Sequence, residues 1–195
     1  MTTTLFTNAH IATGEPGSTA ASTLPLQDIL VTDGVFTAFG PGLAQQYEAQ
    51  GGDLAAIEVV DLGGKLVCPP FCDTHLHLDY VFTARKPGAV NESGTLFEGI
   101  QRWSETKSDL TVDEIKQRAK IGIKKEMLHG VQLIRSHADV TDPNLTSLKA
   151  LLELKEELKD TVTLQIVSFP QEGMYSYEGP HGESGAELVE EGLKM

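Results

Sequence analysis

The sequence predicts an α/β protein whose larger part carries a parallel sheet, and three observations support this. After residue 64, three apolar runs of strand length alternate with amphipathic stretches of helical period. The first of these runs is near-continuous rather than alternating, which is typical of parallel strands buried on both faces. The first 64 residues instead show short β-forming runs separated by glycine-containing turns. We therefore predict two parts, residues 1–64 and residues 65–195.

The N-terminal part is predicted to be β structure. Residues 29–40 indicate a hairpin around the pair Asp33-Gly34, because a tight two-residue turn needs φ > 0 at both positions. Residues 57–62 alternate between apolar and polar side chains and precede a second glycine turn. Residues 14–23 are rich in Gly, Ser, Thr and Pro and predict a loop. Hairpins of this size need a partner surface to be stable.

The second part begins with a strand predicted over residues 65–71. A long loop follows over residues 79–93, and loops of that length without secondary structure are often functional lids. The next helix is predicted over residues 95–107. Its apolar side chains fall on one side, as burial requires. These side chains are Leu96, Ile100 and Trp103.

A second helix and strand follow directly. Thr111 and Glu114 have the spacing of a capping box, and the helix is predicted to run to His129 and to stop at Gly130. The strand after it covers residues 131–137. The buried face of the helix is predicted from apolar residues at four-residue steps. They are Ile115, Ala119, Ile123 and Met127.

The third unit repeats this order. Asp142 and Pro143 are predicted to open a helix, as an N-cap followed by proline at the first position. A strand is predicted over residues 161–169, and a last helix over residues 186–195. The repeated alternation of strand and helix is the basis for expecting one parallel sheet.

The strongest chemical signal is the H-x-H formed by His75 and His77. Side chains two residues apart on an extended chain point to the same side, so both imidazoles can face one space. Two convergent imidazoles suit a divalent metal ion. Taken alone, the same pattern also fits two histidines at a solvated strand end.

The context of this motif resembles the amidohydrolase superfamily, in particular its bacterial cytosine deaminase branch. Four stretches carry the resemblance in order and spacing over about residues 60–195. They are residues 70–79 (PFCDTHLHLD), 93–100 (SGTLFEGI), 135–140 (RSHADV) and 169–173 (FPQEG).

The resemblance implies a (β/α)8 (TIM-type) barrel, of which this chain would carry the first three βα units. A whole barrel needs about 250 residues. The resemblance also implies that residues 1–64 are part of a small N-terminal β-sandwich. Full-length members of the family are expected to form homo-oligomers.

The resemblance also implies roles for particular side chains. His75 and His77 would be metal ligands, and Leu96 would contribute a backbone group to the substrate. Gln171 would bind the substrate, since a neutral amide offers a donor and an acceptor to the amide-like edge of a pyrimidone.

Two further residues are candidates for the lining of the pocket. His137 and Asp139 follow the second strand, whose C-terminal end would face the mouth of the barrel. Neither is assigned as a metal ligand.

The implied activity is the hydrolytic deamination of a cyclic amidine base, cytosine or a related pyrimidine, triazine or purine, by a metal-activated water. One divalent ion, Fe²⁺ or Zn²⁺, is the expected cofactor, in keeping with a role in pyrimidine metabolism. In the family the other metal ligands and the proton-transfer groups follow strands five, six and eight. No catalytic residue is therefore expected within this chain, which we predict to be inactive alone.

Two alternatives remain from the sequence. One is a cyclic-amide hydrolase of the dihydroorotase or hydantoinase type, which usually carries a carboxylated lysine on strand four. The other is a non-catalytic product of a shortened amidohydrolase gene. The FPQ stretch at residues 169–171 favours the deaminase.

Composition limits the partners and the location. A net charge of −13 argues against binding to nucleic acid or to an anionic membrane surface. The resemblance implies a small nucleobase-like substrate instead. The sequence shows no charged-then-apolar leader and no apolar run near 18 residues, which predicts a cytoplasmic protein. The two cysteines, Cys68 and Cys72, are predicted to be reduced thiols in the core.

Overall fold

The computed structural model describes residues 2–12 and 24–195, so the loop predicted over residues 14–23 lies outside the described residues. The chain divides into two compact units, Met1–Pro69 and Pro70–Met195. This division falls a few residues after the boundary predicted at residue 64, and that predicted boundary stays a prediction.

The first unit is a five-stranded sheet with the order β3-β2-β1-β4, in which β5 also pairs with β1. Its buried core includes Leu5, Ala9, Ile29 and Leu43. The elements of this unit, given in chain order, are β1 (Thr3–Ile11), β2 (Leu26–Thr32), β3 (Val35–Gly40), α1 (Leu43–Ala49), β4 (Glu58–Asp61) and β5 (Leu66–Val67).

The hairpin predicted between β2 and β3 is confirmed. Asp33 has φ 49° and Gly34 has φ 79°, and the two strands pair antiparallel on either side of them. The backbone twist of such a turn matches the twist of the strands that it joins. Helix α1, by contrast, was not predicted, and β4 pairs with β1 in parallel rather than through a hairpin.

The second unit contains a three-stranded parallel sheet with the order β6-β7-β8, and helices pack against it. This confirms the predicted α/β class with a parallel sheet. The elements of this unit are β6 (Phe71–Leu76), α2 (Leu96–Lys107), α3 (Val112–Leu128), β7 (Val131–Asp139), α4 (Thr146–Glu157), β8 (Thr163–Phe169) and α5 (Gly185–Gly192).

The two faces of this sheet differ in burial, as β7 shows. Ile134, Ser136 and Ala138 are buried on the side that the helices cover. The alternating residues Leu133 and Arg135 are exposed on the opposite side. We call this second side the open face of the sheet.

The predicted first strand over residues 65–71 is wrong in its position. Leu66 and Val67 pair with β1 in the first unit, and the parallel sheet begins only at Phe71. The two prolines between these segments, Pro69 and Pro70, have no amide hydrogen to donate to a ladder. They therefore divide the apolar run into two strands that belong to different sheets.

The helix boundaries illustrate one confirmation and one correction. The capping box of Thr111 and Glu114 is present at the start of α3. Helix α4 begins later than predicted, because Leu145 takes a left-handed conformation with φ 50° and the helix starts at Thr146. Asp142 instead caps the helix from four residues away, accepting a hydrogen bond from the amide of Thr146 at 2.9 Å.

The cysteines are free, but the prediction that they lie in the core is wrong. Both Cys68 and Cys72 are exposed. Cys72 pairs with Leu133 in the parallel ladder and therefore lies on the open face.

None of the helices within residues 2–12 and 24–195 is both long enough and apolar enough to cross a membrane. The predicted cytoplasmic location stays a prediction.

Candidate active site

A cavity of about 530 Å³ lies where β6 and β8 end and α2 begins. Four residues singled out from the sequence line it together: His75, His77, Leu96 and Gln171. They come from three separate segments of the chain. Side chains that follow the parallel strands of one sheet lie at the same edge of that sheet, which explains why the cavity forms there.

A β-bulge turns the two histidines toward this cavity. Asp73 pairs with Ile134 and Leu76 pairs with Ser136, so that two residues of β6, Thr74 and His75, lie opposite the single residue between their partners. A bulge of this kind re-aims the side chains that follow it. Leu76 thereby faces the helices, as its partner Ser136 does. His75 and His77, which flank Leu76 in the sequence, therefore face the other side of the sheet.

The two imidazoles lie close together, with ring centroids 5.3 Å apart and planes at 68°. His77 has its Nδ1 atom 2.9 Å from the main-chain oxygen of His137. A carbonyl oxygen only accepts, so Nδ1 carries the hydrogen and Nε2 keeps its lone pair. Metal-binding histidines in proteins usually show this arrangement, in which the second nitrogen donates to a carbonyl or a carboxylate.

Aromatic side chains form much of the remaining wall. Tyr80 stacks on His77 with centroids 4.6 Å apart, and Trp103 lies 4.9 Å from Tyr80. Phe169 meets His77 edge-on at 5.4 Å. The sequence interpretation missed Tyr80, included Phe169 only as part of the FPQ stretch, and treated Trp103 only as part of a buried stripe. The helical spacing of Trp103 predicted its burial, but no local pattern indicated that it would reach a cavity.

The start of α2 forms the opposite side of the cavity. Leu96 is the first residue of the helix, after the N-cap Thr95. Amides in the first helical turn have no partner within the helix and are available to a ligand. The loop before the helix is held by Glu98, whose carboxylate accepts hydrogen bonds from the amides of Glu92 at 3.1 Å and Ser93 at 2.7 Å.

Neither His137 nor Asp139 is among the residues that line the cavity, although both were predicted to do so. His137 stacks behind His75, with ring centroids 4.1 Å apart. Asp139 is only 1% exposed and accepts hydrogen bonds from Trp103 and from the amide of Gln171. The last residues of β7 thus support the wall from behind.

Burial shifts the titration of the groups around the histidines. Desolvation lowers the pKa of His77, and the hydrogen bond to His137 opposes this shift more weakly. The net effect favours the neutral imidazole that a metal requires. Desolvation also raises the pKa of the fully buried Asp79 to about 7 and that of Tyr80 to about 12.

A divalent metal ion fits the donor set in part. The hydrogen bond of His77 to the protein is made by Nδ1, so the lone pair of Nε2 remains for a metal ion. His75 lies beside His77 on the cavity wall. Among residues 2–12 and 24–195 there is no group of three or more histidine, cysteine, aspartate or glutamate residues arranged to hold a metal. The described part of the chain therefore offers two imidazole ligands and no third.

Comparison with known proteins agrees with this geometry. The chain resembles the 5-methylcytosine deaminase of Klebsiella pneumoniae, solved with 5-fluorocytosine, at 38% identity and a TM-score of 0.78; the match covers 98% of this chain and 41% of that one. Among curated proteins it is 35% identical over 120 residues to the N-isopropylammelide isopropyl amidohydrolase of Pseudomonas sp. strain ADP, covering 60% of this chain and 30% of the relative.

A second curated relative is the pterin deaminase of Rhizobium rhizogenes, which is 27% identical over 152 residues, covering 75% of this chain and 32% of the relative. The chain thus spans about a third of the length of the curated relatives it matches. A family model described as the amidohydrolase family matches residues 58–191. These findings confirm the resemblance to the cytosine deaminase branch. The chain belongs to the amidohydrolase family.

Proposed function

We propose that the protein serves in the hydrolytic deamination of a cyclic amidine base, cytosine or a related pyrimidine, triazine or purine, with one divalent ion, Fe²⁺ or Zn²⁺, as cofactor. The observation that carries this proposal is the pair His75 and His77, whose rings lie 5.3 Å apart on the wall of a cavity that also contains Gln171. The deaminases among its relatives support the reaction class.

The metal would be held in part by His75 and His77. Burial lowers the pKa of His77 and so favours its neutral imidazole, and its hydrogen bond to the main chain orients the ring. A bound divalent ion supplies Lewis acidity, which makes water a nucleophile near neutral pH.

The rest of the cavity suits a planar nitrogen heterocycle. The aromatic rings of Tyr80, Trp103 and Phe169 provide flat apolar contact. Gln171 provides an amide that can donate and accept at the edge of the ring. The backbone of Leu96 would add a further hydrogen bond. A cavity of about 530 Å³ is within the usual range for small ligands.

We also propose how this chain relates to the whole fold. The parallel units built on β6, β7 and β8 would be the first three of a (β/α)8 barrel, and residues 1–64 would be part of a β-sandwich. The position of the cavity, at the C-terminal ends of the strands, supports this, since barrel enzymes place their active sites there.

The 195-residue chain alone would be an inactive portion of such an enzyme. Two imidazoles leave a metal site with at least two open positions, and catalytic zinc sites usually have three protein ligands. The described residues around the cavity also offer no exposed carboxylate to transfer protons. General acid–base groups typically contribute about 100- to 10,000-fold to the rate.

A chimera tests the function. This chain would replace the part of the Klebsiella enzyme that it covers, and ammonia release would be followed with cytosine, 5-methylcytosine and pterin in the presence of Zn²⁺ or Fe²⁺. We expect turnover of at least one base by the chimera and none by the 195-residue chain.

The matched variants are His77→Ala, which should abolish turnover by the chimera, and His129→Ala. His129 is exposed at the end of α3 and should be dispensable. A folded, metal-loaded chimera that deaminates none of these bases would contradict the proposed reaction. Turnover by the 195-residue chain would contradict its incompleteness.

A further inference from the structure

The buried carboxylate of Asp139 is an unusual junction of hydrogen bonds. Its Oδ2 accepts from the indole Nε1 of Trp103 at 2.7 Å and from the ammonium of Lys107 at 3.0 Å. Its Oδ1 accepts from the amide and the hydroxyl of Thr141 and from the amide of Gln171 at 3.3 Å. The carboxylate thus accepts from five donors.

Two of these donors belong to opposite parts of the candidate cavity. Trp103 comes from helix α2, and Gln171 comes from the segment after β8. Both line the cavity. Asp139 itself ends β7, and its amide donates to Asp79, which follows β6, at 2.8 Å. Through its side chain and its main-chain amide, Asp139 therefore connects the segments that follow all three strands.

These bonds also decide what the wall offers to a ligand. The indole N–H of Trp103 is directed to Asp139 and is occupied there, so the ring presents carbon surface to the cavity. Gln171 is held through its main chain, and among the described residues its side-chain amide makes no hydrogen bond. The amide is therefore positioned and still available.

We propose that Asp139 is a positioning residue for ligand binding, which sets the place of Trp103 and Gln171 without touching the ligand. Its part in ligand binding rests on the proposed function, while its control of Trp103 does not. Lys107 and Glu172 complete the junction: the ammonium of Lys107 contacts both carboxylates and offsets the charge of Asp139.

Asparagine cannot replace Asp139 in this junction. A carboxylate presents two accepting oxygens, and all five partners are donors. In Asp139→Asn one oxygen becomes an NH₂ group, which must then face either Trp103 and Lys107 or Thr141 and Gln171. One of the two cavity walls therefore loses its anchor.

The chain contains one tryptophan, so its fluorescence reports on Trp103 alone. Without ligand, Asp139→Asn should increase quenching of Trp103 by acrylamide and shift its emission to longer wavelength. The control is Asp28→Asn, which alters another buried carboxylate that accepts from two backbone amides in the first unit. That variant should lose stability but leave the Trp103 signal of the folded protein unchanged.

A milder substitution covers the case in which Asp139→Asn does not fold. Thr141→Val is nearly isosteric and removes one hydroxyl donor from Asp139 while its amide remains. A smaller change of the Trp103 signal in the same direction is expected. An unchanged Trp103 signal in the folded Asp139→Asn variant, or in Thr141→Val where the first does not fold, would overturn the inference.

Ligand binding is measured by titrating the protein with 5-fluorocytosine in the presence of Zn²⁺ and following the quenching of Trp103 fluorescence. Asp139→Asn should weaken binding about tenfold, the loss expected for one hydrogen bond to a charged group. Equal affinity in the variant and the wild type would also overturn the inference. Absence of binding by the wild type would count against the proposed function. The quenching and emission of Trp103 without ligand would then still test whether Asp139 positions Trp103.

Discussion

The Nδ1 atom of His77 donates a hydrogen bond to the main-chain oxygen of His137 over 2.9 Å. This bond connects the end of β6 to the end of β7 and assigns the lone pair of the ring to Nε2. The histidine is therefore in the tautomer that a metal ion needs before any ion is present.

Replacing either of the two histidines should greatly weaken the binding of a metal ion. We expect Zn²⁺ to raise the unfolding temperature of the wild type, by an amount that grows with the ratio of free Zn²⁺ to its Kd. His75→Ala and His77→Ala should each lower the affinity by about 100-fold or more, since each leaves one imidazole. Calorimetric titration measures this directly.

The control for that experiment is His129→Ala, which changes an exposed histidine whose Nδ1 contacts the oxygen of Lys125. It should bind Zn²⁺ as the wild type does. Unchanged affinity in His75→Ala and His77→Ala would place the ion elsewhere on the chain.

Asp79→Asn should change how stability depends on pH. Desolvation raises the pKa of Asp79 from 3.8 to about 7, so the folded state holds a proton that the unfolded state releases between these values. Its contribution to stability is complete below about pH 4 and is lost as the pH rises through 7. The free energy of unfolding of the wild type should therefore fall relative to the variant, by at most about 1.4 kcal/mol per pH unit.

Urea unfolding of both proteins at pH 5, 6, 7 and 8, with a chelator present, measures this difference. The comparison cancels the titrating groups that lie far from Asp79 and are shared by the two proteins. A constant difference across the series would mean that Asp79 does not titrate in this range.

Glu98→Ala should loosen the loop at the entrance of α2. Hydrogen bonds from Ser93 and from the amide of Glu92 lower the pKa of Glu98 to about 2, so its stabilising effect is present above about pH 4.5 and is lost as the pH falls toward 2. Hydrogen exchange at the amides of Glu92 and Ser93 should become faster at pH 7. Glu105→Ala, an exposed change on the same helix, should leave these two amides protected.

Two glycines should respond to alanine in opposite directions. A Cβ at Gly122 would lie 3.4 Å from Leu78, an ordinary contact, so Gly122→Ala should stabilise α3 by about 0.5–1 kcal/mol. A Cβ at Gly185 would lie 2.2 Å from the main-chain oxygen of Gly173, and this variant should lose about 1–3 kcal/mol. Thermal unfolding of both variants measures the sign of each change in stability. Stabilisation by Gly185→Ala would show that the main chain at Gly173 moves away without cost.

Local sequence signals predicted the features that depend on local chemistry. The turn at Asp33-Gly34 and the capping box at Thr111 follow from the conformations and hydrogen bonds of a few neighbouring residues. The pair His75 and His77 was identified in the same way. The amidohydrolase resemblance then indicated Leu96 and Gln171, and all four line one cavity.

The features that the sequence did not predict depend on contacts between distant segments. Trp103 of helix α2 lies on the cavity wall with its indole bonded to Asp139, at the end of β7. Leu145 adopts φ 50°, which no propensity for leucine indicates. The two prolines at 69–70 were visible, but only the pairing of Leu66 with β1 shows that the strand before them belongs to another sheet.

Because of the bulge in β6, the site depends on how many residues the strand contains between 73 and 76, and not only on which residues they are. Thr74 and His75 share one place opposite Arg135, and this extra residue decides which side of the sheet the imidazoles occupy. If the same residues paired without the bulge, His75 would lie opposite Ser136 and both rings would turn toward the helices. Single-residue insertions within residues 73–76 should therefore be tolerated less than most substitutions in the same strand.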